Sequence, residues 1–132
     1  MPGTRTERPR ARRILLIEDD VALVALLSKA LSARGYDVQI AKDGLEGLTK
    51  VDKSPPDLLI VDIMMPQLDG MTLVRAIKSH RETRHVPVIF LTAKSDSRSV
   101  VEGINLGAKF YITKPFSIED LLSKVQRALR PQ

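Results

Sequence analysis

Six positions in this 132-residue chain carry side chains that could do chemistry together. Glu18, Asp19 and Asp20 follow the apolar run Ile14-Leu15-Leu16-Ile17, and a lone acid, Asp62, follows the run Leu58-Leu59-Ile60-Val61. Thr92 closes the run from Val86 to Leu91, and Lys114 closes the segment from Lys109 to Thr113. Carboxylates gathered in one place repel one another and must be neutralised. A hard divalent cation does this, and Mg²⁺ needs only one or two carboxylates besides water and phosphate oxygens. A hydroxyl and an ammonium would complete a site for a transferring phosphoryl group, whose charge lies on its equatorial oxygens. One carboxylate could then act as nucleophile and form an aspartyl phosphate. A single acid at such a position could equally cap a loop, so the weight rests on the whole set.

The set converges only if the elements carrying it end on one side of the molecule. Four consecutive apolar residues before Asp62 read as a strand buried on both faces, and Pro66 and Asp69-Gly70 turn the chain after it. Leu23, Leu26, Leu27, Ala30 and Leu31 recur at helical spacing, with Gly35 as the stop. Residues 36–41 read as a second strand. Asp43 can cap a helix carrying Leu45, Leu48 and Val51, closed by Ser54-Pro55-Pro56. Met71, Val74 and Ile77 mark a third helix beginning near Asp69-Gly70. Val100, Val101 and Ile104 mark a fourth, stopped by Gly107. Ile118, Leu121, Leu122, Val125 and Leu129 mark the last. Five strands alternating with five helices predict an α/β protein, a parallel sheet covered on both faces. The flavodoxin-like (βα)5 order 2-1-3-4-5 follows, with a crevice between strands 1 and 3 at the carboxyl ends. That order brings Glu18, Asp19, Asp62, Thr92 and Lys114 to one edge.

Composition narrows the classes. The length suits one domain with a real core. The absence of cysteine removes disulfides, thiolate metal sites and thiol nucleophiles. No apolar run approaches a membrane span and no signal peptide is visible, so a cytoplasmic protein is expected. Of the formal charge of +5, residues 1–13 supply +4 through Arg5, Arg8, Arg10, Arg12 and Arg13 against Glu7. Residues 1–12 therefore read as a basic, disordered leader, and the high pI as a property of that leader and not of a basic face. A nucleic-acid or acidic-partner arm is the alternative for it. His80 and His85 fall in a polar loop and receive no role.

The motifs ILLIEDD, LLIVDIMMPQLDG, VIFLTAK and GAKFYITKPF together resemble the receiver domains of bacterial two-component response regulators, over essentially all of residues 13–130. The resemblance implies a phosphorylation-activated signalling switch in which Asp62 accepts a phosphoryl group from a histidine kinase. It implies that Asp19, Asp62 and the backbone carbonyl of Met64 bind Mg²⁺ directly and that Glu18 acts through water; Asp20 lies outside the usual acidic pair. Thr92 would hydrogen-bond the phosphoryl oxygen, Lys114 would pair with it, and Lys114-Pro115 would be cis. Tyr111 matches the aromatic switch position. Met64 and Lys94 flank the site, and Met64 and Met65 read otherwise as loop packing. The face of the fourth helix, fifth strand and last helix would change shape, as Thr92 moves inward and Tyr111 turns from exposed to buried. The implied partners are a sensor histidine kinase or phosphotransfer protein and a downstream effector or output domain, with a phosphorylation-dependent homodimer also admitted. No membrane and no nucleic acid is expected for this domain. Such a protein is a phosphoacceptor that assists its own phosphorylation and slow hydrolysis.

Two other classes compete with a switch. A phosphatase or phosphotransferase with an Asp nucleophile would carry a second Asp two residues on; Met64 stands there instead. A receiver-like scaffold working without phosphorylation would have no need of the full set Glu18, Asp19, Asp62, Thr92 and Lys114. Whether the domain stands alone or belongs to a larger regulator stays open.

Overall fold

The computed structural model describes residues 10–65, 67–93 and 105–130. In chain order the elements are β1 (Arg13–Ile17), α1 (Val21–Ala33), β2 (Asp37–Ala41), α2 (Gly44–Lys53), β3 (Leu58–Asp62), α3 (Gly70–Lys78), β4 (Val88–Ala93), β5 (Phe110–Lys114) and α4 (Ile118–Ala128). The expected helix through Val100, Val101 and Ile104 lies outside the described residues, as does Lys94.

The five strands form one parallel sheet in the expected order, β2-β1-β3-β4-β5. The central strand β3 is buried along its whole length. That burial is why it reads as an unbroken apolar run and not as an alternation. Alternation reappears in which layer each residue joins. Leu15, Ile17, Leu59, Val61 and Phe90 pack with Val51 of α2 and with Met71, Leu73, Val74 and Ile77 of α3. Ile14, Leu16, Leu58, Ile60, Ile89, Leu91 and Ile112 pack with Leu27 and Leu31 of α1 and with Leu121, Leu122 and Val125 of α4.

Local chemistry sets the helix ends. Asp20, Asp43, Asp69 and Ser117 each accept a backbone N–H from three residues on, the N-cap bond that satisfies a free helix donor. Gly35 takes φ +90° just past α1, a conformation that costs glycine no Cβ clash. Gly70 has a different reason. A Cβ there would collide with the Asp62 carbonyl and with Val61, so glycine lets α3 begin directly against the end of β3.

Several expectations shift. Leu26 and Leu45, counted with the apolar stripes of their helices, are exposed at 52% and 55%, because each lies beyond the part of the stripe that the sheet covers. β4 continues one residue past Thr92, to Ala93. Arg12 and Arg13 are not free leader charges. The Arg12 carbonyl accepts the N–H of Asp37, and its guanidinium donates to the Leu129 carbonyl at 3.2 Å. Arg13 is the first residue of β1; its N–H donates to Asp57 and its guanidinium to Ser54.

Candidate functional site

The carboxyl edge of the sheet assembles the acids and the lysine. Glu18 directly follows β1, Asp62 is the last residue of β3 and Lys114 the last of β5. Glu18 and Asp62 are buried, at 1% and 4% exposure, whereas Asp19 is exposed. One carboxylate oxygen from each of the three lies within 4.8 Å of the others. The Lys114 ammonium bridges the two buried acids, 3.2 Å from Glu18 Oε1 and 3.2 Å from Asp62 Oδ2. Each acid is also held by backbone. Glu18 Oε2 accepts the N–H groups of Asp19 and Asp20, and Asp62 Oδ1 accepts that of Met64.

One ammonium does not balance three carboxylates. Burial raises the Glu18 carboxyl to about 7, and its contact with Asp62 adds to the rise; the Asp20 amide and Lys114 act against it. Burial lowers the Lys114 ammonium, but Asp62 and Glu18 outweigh this and leave it raised. The pocket therefore favours extra positive charge. Three hard oxygen donors, two of them buried, fit a magnesium ion in ligand type and charge.

Asp20, the third acid of the run, points elsewhere: it caps α1 through the N–H of Leu23. The missed signal was its place one residue before the first helical turn. The Met64 side chain is 66% exposed and does not pack, in contrast to the loop packing expected of it, whereas Met65 is buried. The residue contributes its N–H to Asp62, which fixes the loop after β3. Among the described residues, Thr92 is not hydrogen-bonded to the acids or to Lys114. Its hydroxyl donates to the Ala93 carbonyl at 3.3 Å, a long bond.

Thr92 belongs to the opposite face. It is two residues beyond Phe90, and Tyr111 is the register partner of Phe90, so all three side chains share one side of the sheet. The Tyr111 ring stacks on Phe90 at 5.6 Å between centroids. Its hydroxyl is buried without a hydrogen-bond partner among the described residues, and burial pushes the phenol up to about 12. The structure thus holds the inward position of this ring. Lys114-Pro115 is cis, as expected.

A family model for the response regulator receiver domain matches residues 14–126. The chain belongs to this family. The receiver domain is 37% identical to the transcriptional regulatory protein TrcR of Mycobacterium tuberculosis, across 96% of this chain and 55% of that protein. It is 40% identical to the DNA-binding dual master transcriptional regulator RpaA of Synechocystis, across 89% of this chain and 49% of that one. The receiver thus spans about half the length of these regulators. Among solved structures it superposes on the chemotaxis protein CheY4 of Vibrio cholerae with a TM-score of 0.85 at 32% identity, covering 91% of this chain and all of that one. The receiver domain of a histidine kinase from Syntrophus aciditrophicus gives 0.84 at 38% identity, covering 90% of each. No helix among the described residues is long and apolar enough to cross a membrane.

Proposed function

We propose that this receiver domain is a phosphorylation-driven switch of the cytoplasm that takes a phosphoryl group onto Asp62 from a sensor histidine kinase or phosphotransfer protein. The observation that carries this reading is the Lys114 ammonium, 3.2 Å from both buried acids, beside a third carboxylate within 4.8 Å. Asp19, Asp62 and the Met64 carbonyl would hold Mg²⁺ directly, with Glu18 acting through water. The ion, once bound, supplies the charge that lets an anionic donor approach three acids.

The residues of the chain account for the transfer. The backbone N–H of Met64 and the Lys114 ammonium orient the Asp62 carboxylate. An Asp62 oxygen bonds to phosphorus as the P–N bond of a phosphohistidine breaks, and the electron pair leaves with the imidazole. Lys114 then follows the negative charge from the carboxylate to the phosphoryl oxygens. Thr92, whose hydroxyl makes only a long bond to its neighbour's carbonyl, turns to the same oxygens for a charge-assisted bond. Beside Lys114, an apolar cleft lined by Leu23, Leu26, Phe116 and Ile118 gives the delivering protein a place to dock. Slow hydrolysis of the aspartyl phosphate resets the switch.

Output follows the sheet face that Thr92 shares with Phe90 and Tyr111. Repositioning Thr92 changes the space beside the Tyr111 ring, and so the surface that β5 and α4 offer to an effector, an output domain or a second phosphorylated copy. Incubation with acetyl phosphate and Mg²⁺ tests the acceptor. The wild-type chain should gain one phosphoryl group by intact mass, a chelator should prevent it, and Asp62→Asn should abolish it. Labelling of the Asn variant at the wild-type rate overturns the reading.

A further inference from the structure

We infer that the amino edge of the sheet, the end remote from Asp62, is a binding face for the phosphate backbone of a nucleic acid. Parallel strands all begin at one edge, so residues far apart in sequence meet there. Arg12 precedes β1, His85 precedes β4, Lys109 precedes β5 and Arg130 follows α4. These four line one cleft of about 390 Å³, together with Asp57 and the apolar Pro87 and Leu129. All four are exposed, and none forms an ion pair among the described residues.

The single acid of the cleft does not cancel Arg12, Lys109 and Arg130. Asp57 already accepts the Arg13 N–H at 2.7 Å. The Arg12 guanidinium is oriented by its bond to the Leu129 carbonyl. On either side of His85 in the chain, the carbonyls of Arg84 and Val86 accept the Lys78 ammonium. Burial lowers the Lys78 ammonium first, and the charge of Lys109 lowers it further, which puts a second ammonium within reach of Lys109. The chain that reaches this edge at Arg12 carries Arg5, Arg8 and Arg10 against Glu7 in the sequence before it. The opposite edge holds Glu18, Asp19 and Asp62. Asp37, which opens β2 at the same edge, lies outside the cleft, so the cationic excess belongs to the cleft and not to the whole edge.

Two features favour a nucleic acid over an acidic protein. Protein interfaces bind through buried aromatic or large apolar anchors, whereas this cleft is lined by Arg12, Lys109 and Arg130 around a small apolar floor with no Phe, Tyr or Trp. Duplex DNA presents one charge per roughly 1.7 Å of axis, a density that suits cations contributed by several chain segments. Without Phe, Tyr or Trp to stack several bases, the face contacts the backbone and does not read sequence.

The test is anisotropy of the full chain with a labelled random-sequence duplex across a salt titration. Affinity should fall steeply as salt rises. Lys109→Ala with Arg130→Ala should weaken binding and lower the slope of log affinity against log salt by about 2, one per lost phosphate contact. Deleting residues 1–11 should leave the effect of that pair in place and labelling by acetyl phosphate unchanged. Lys29→Ala with Lys42→Ala removes the same charge from exposed sites elsewhere and should change nothing. The inference is overturned if that control pair weakens binding equally. It is also overturned if only the deletion has an effect, which assigns binding to the leader, or if polyglutamate-rich peptides bind while the duplex does not.

Discussion

Glu18 is the residue on which the resting site turns. Its folded carboxyl, raised to about 7 from an ordinary 4.5, holds a proton that the unfolded chain releases. Its contribution to stability is therefore fully present below about pH 4.5 and lost as pH rises through about 7. Without Mg²⁺, the thermal midpoint should fall by a few degrees across that window, and Glu18→Gln should flatten the profile. A profile unchanged by the substitution would remove Glu18 as the source. Asp19 is exposed and is proposed as a direct ligand, so Asp19→Asn should weaken Mg²⁺ binding more than Glu18→Gln does, measured by calorimetric titration. That both residues meet Asp62 at one edge was legible in the sequence, because each acid directly follows an apolar strand run and parallel strands end together. The fate of Asp20 was not. Three consecutive acids look alike until the backbone at Asp20 turns extended and offers its carboxylate to the N–H of Leu23.

Helix ends and close approaches decide how firmly the edge is held. Asp20→Ala should cost about 1 kcal/mol through loss of the cap and leave Mg²⁺ affinity nearly unchanged, which separates a capping acid from a ligand. Melting and metal titration of one sample read both. Gly70→Ala forces a Cβ against the Asp62 carbonyl. It should cost about 1–3 kcal/mol and slow labelling by acetyl phosphate, since α3 can move only by dragging the end of β3. The strand order was legible from alternation of elements, and β3 from its unbroken apolar run. Leu26 and Leu45 were not, because helical spacing identifies a stripe without saying how much of it the sheet covers. The cationic cleft was invisible for a related reason: Arg12, His85, Lys109 and Arg130 become neighbours only once all strands run the same way.

Across the whole molecule, the proposed switch needs a link between two layers. Thr92→Ala should still be phosphorylated, more slowly, and should lose most of the response near Tyr111. NMR with beryllofluoride, a phosphoryl mimic, reads this directly. Amides around Tyr111 that shift as strongly in Thr92→Ala as in wild type would exclude the hydroxyl as the link. The ring already lies inward on Phe90, so under the proposed switch activation should hold this position and not create a new contact.

Strand alternation puts Glu18, Asp62 and Lys114 in phase with the residues that pack on α1 and α4, and Thr92 and Tyr111 in phase with those that pack on α2 and α3. The apolar cleft of Leu23, Leu26, Phe116 and Ile118 lies on the first of these sides. Under the proposed function, the sheet is then a wall between a receiving side and a reporting side, crossed at the adjacent strand ends of Asp62 and Thr92. Such an arrangement is open to rewiring. Residues that choose the donor can drift, or be grafted from a cousin, without disturbing those that announce the signal, and a duplicated copy can acquire a new sender while keeping its old listener.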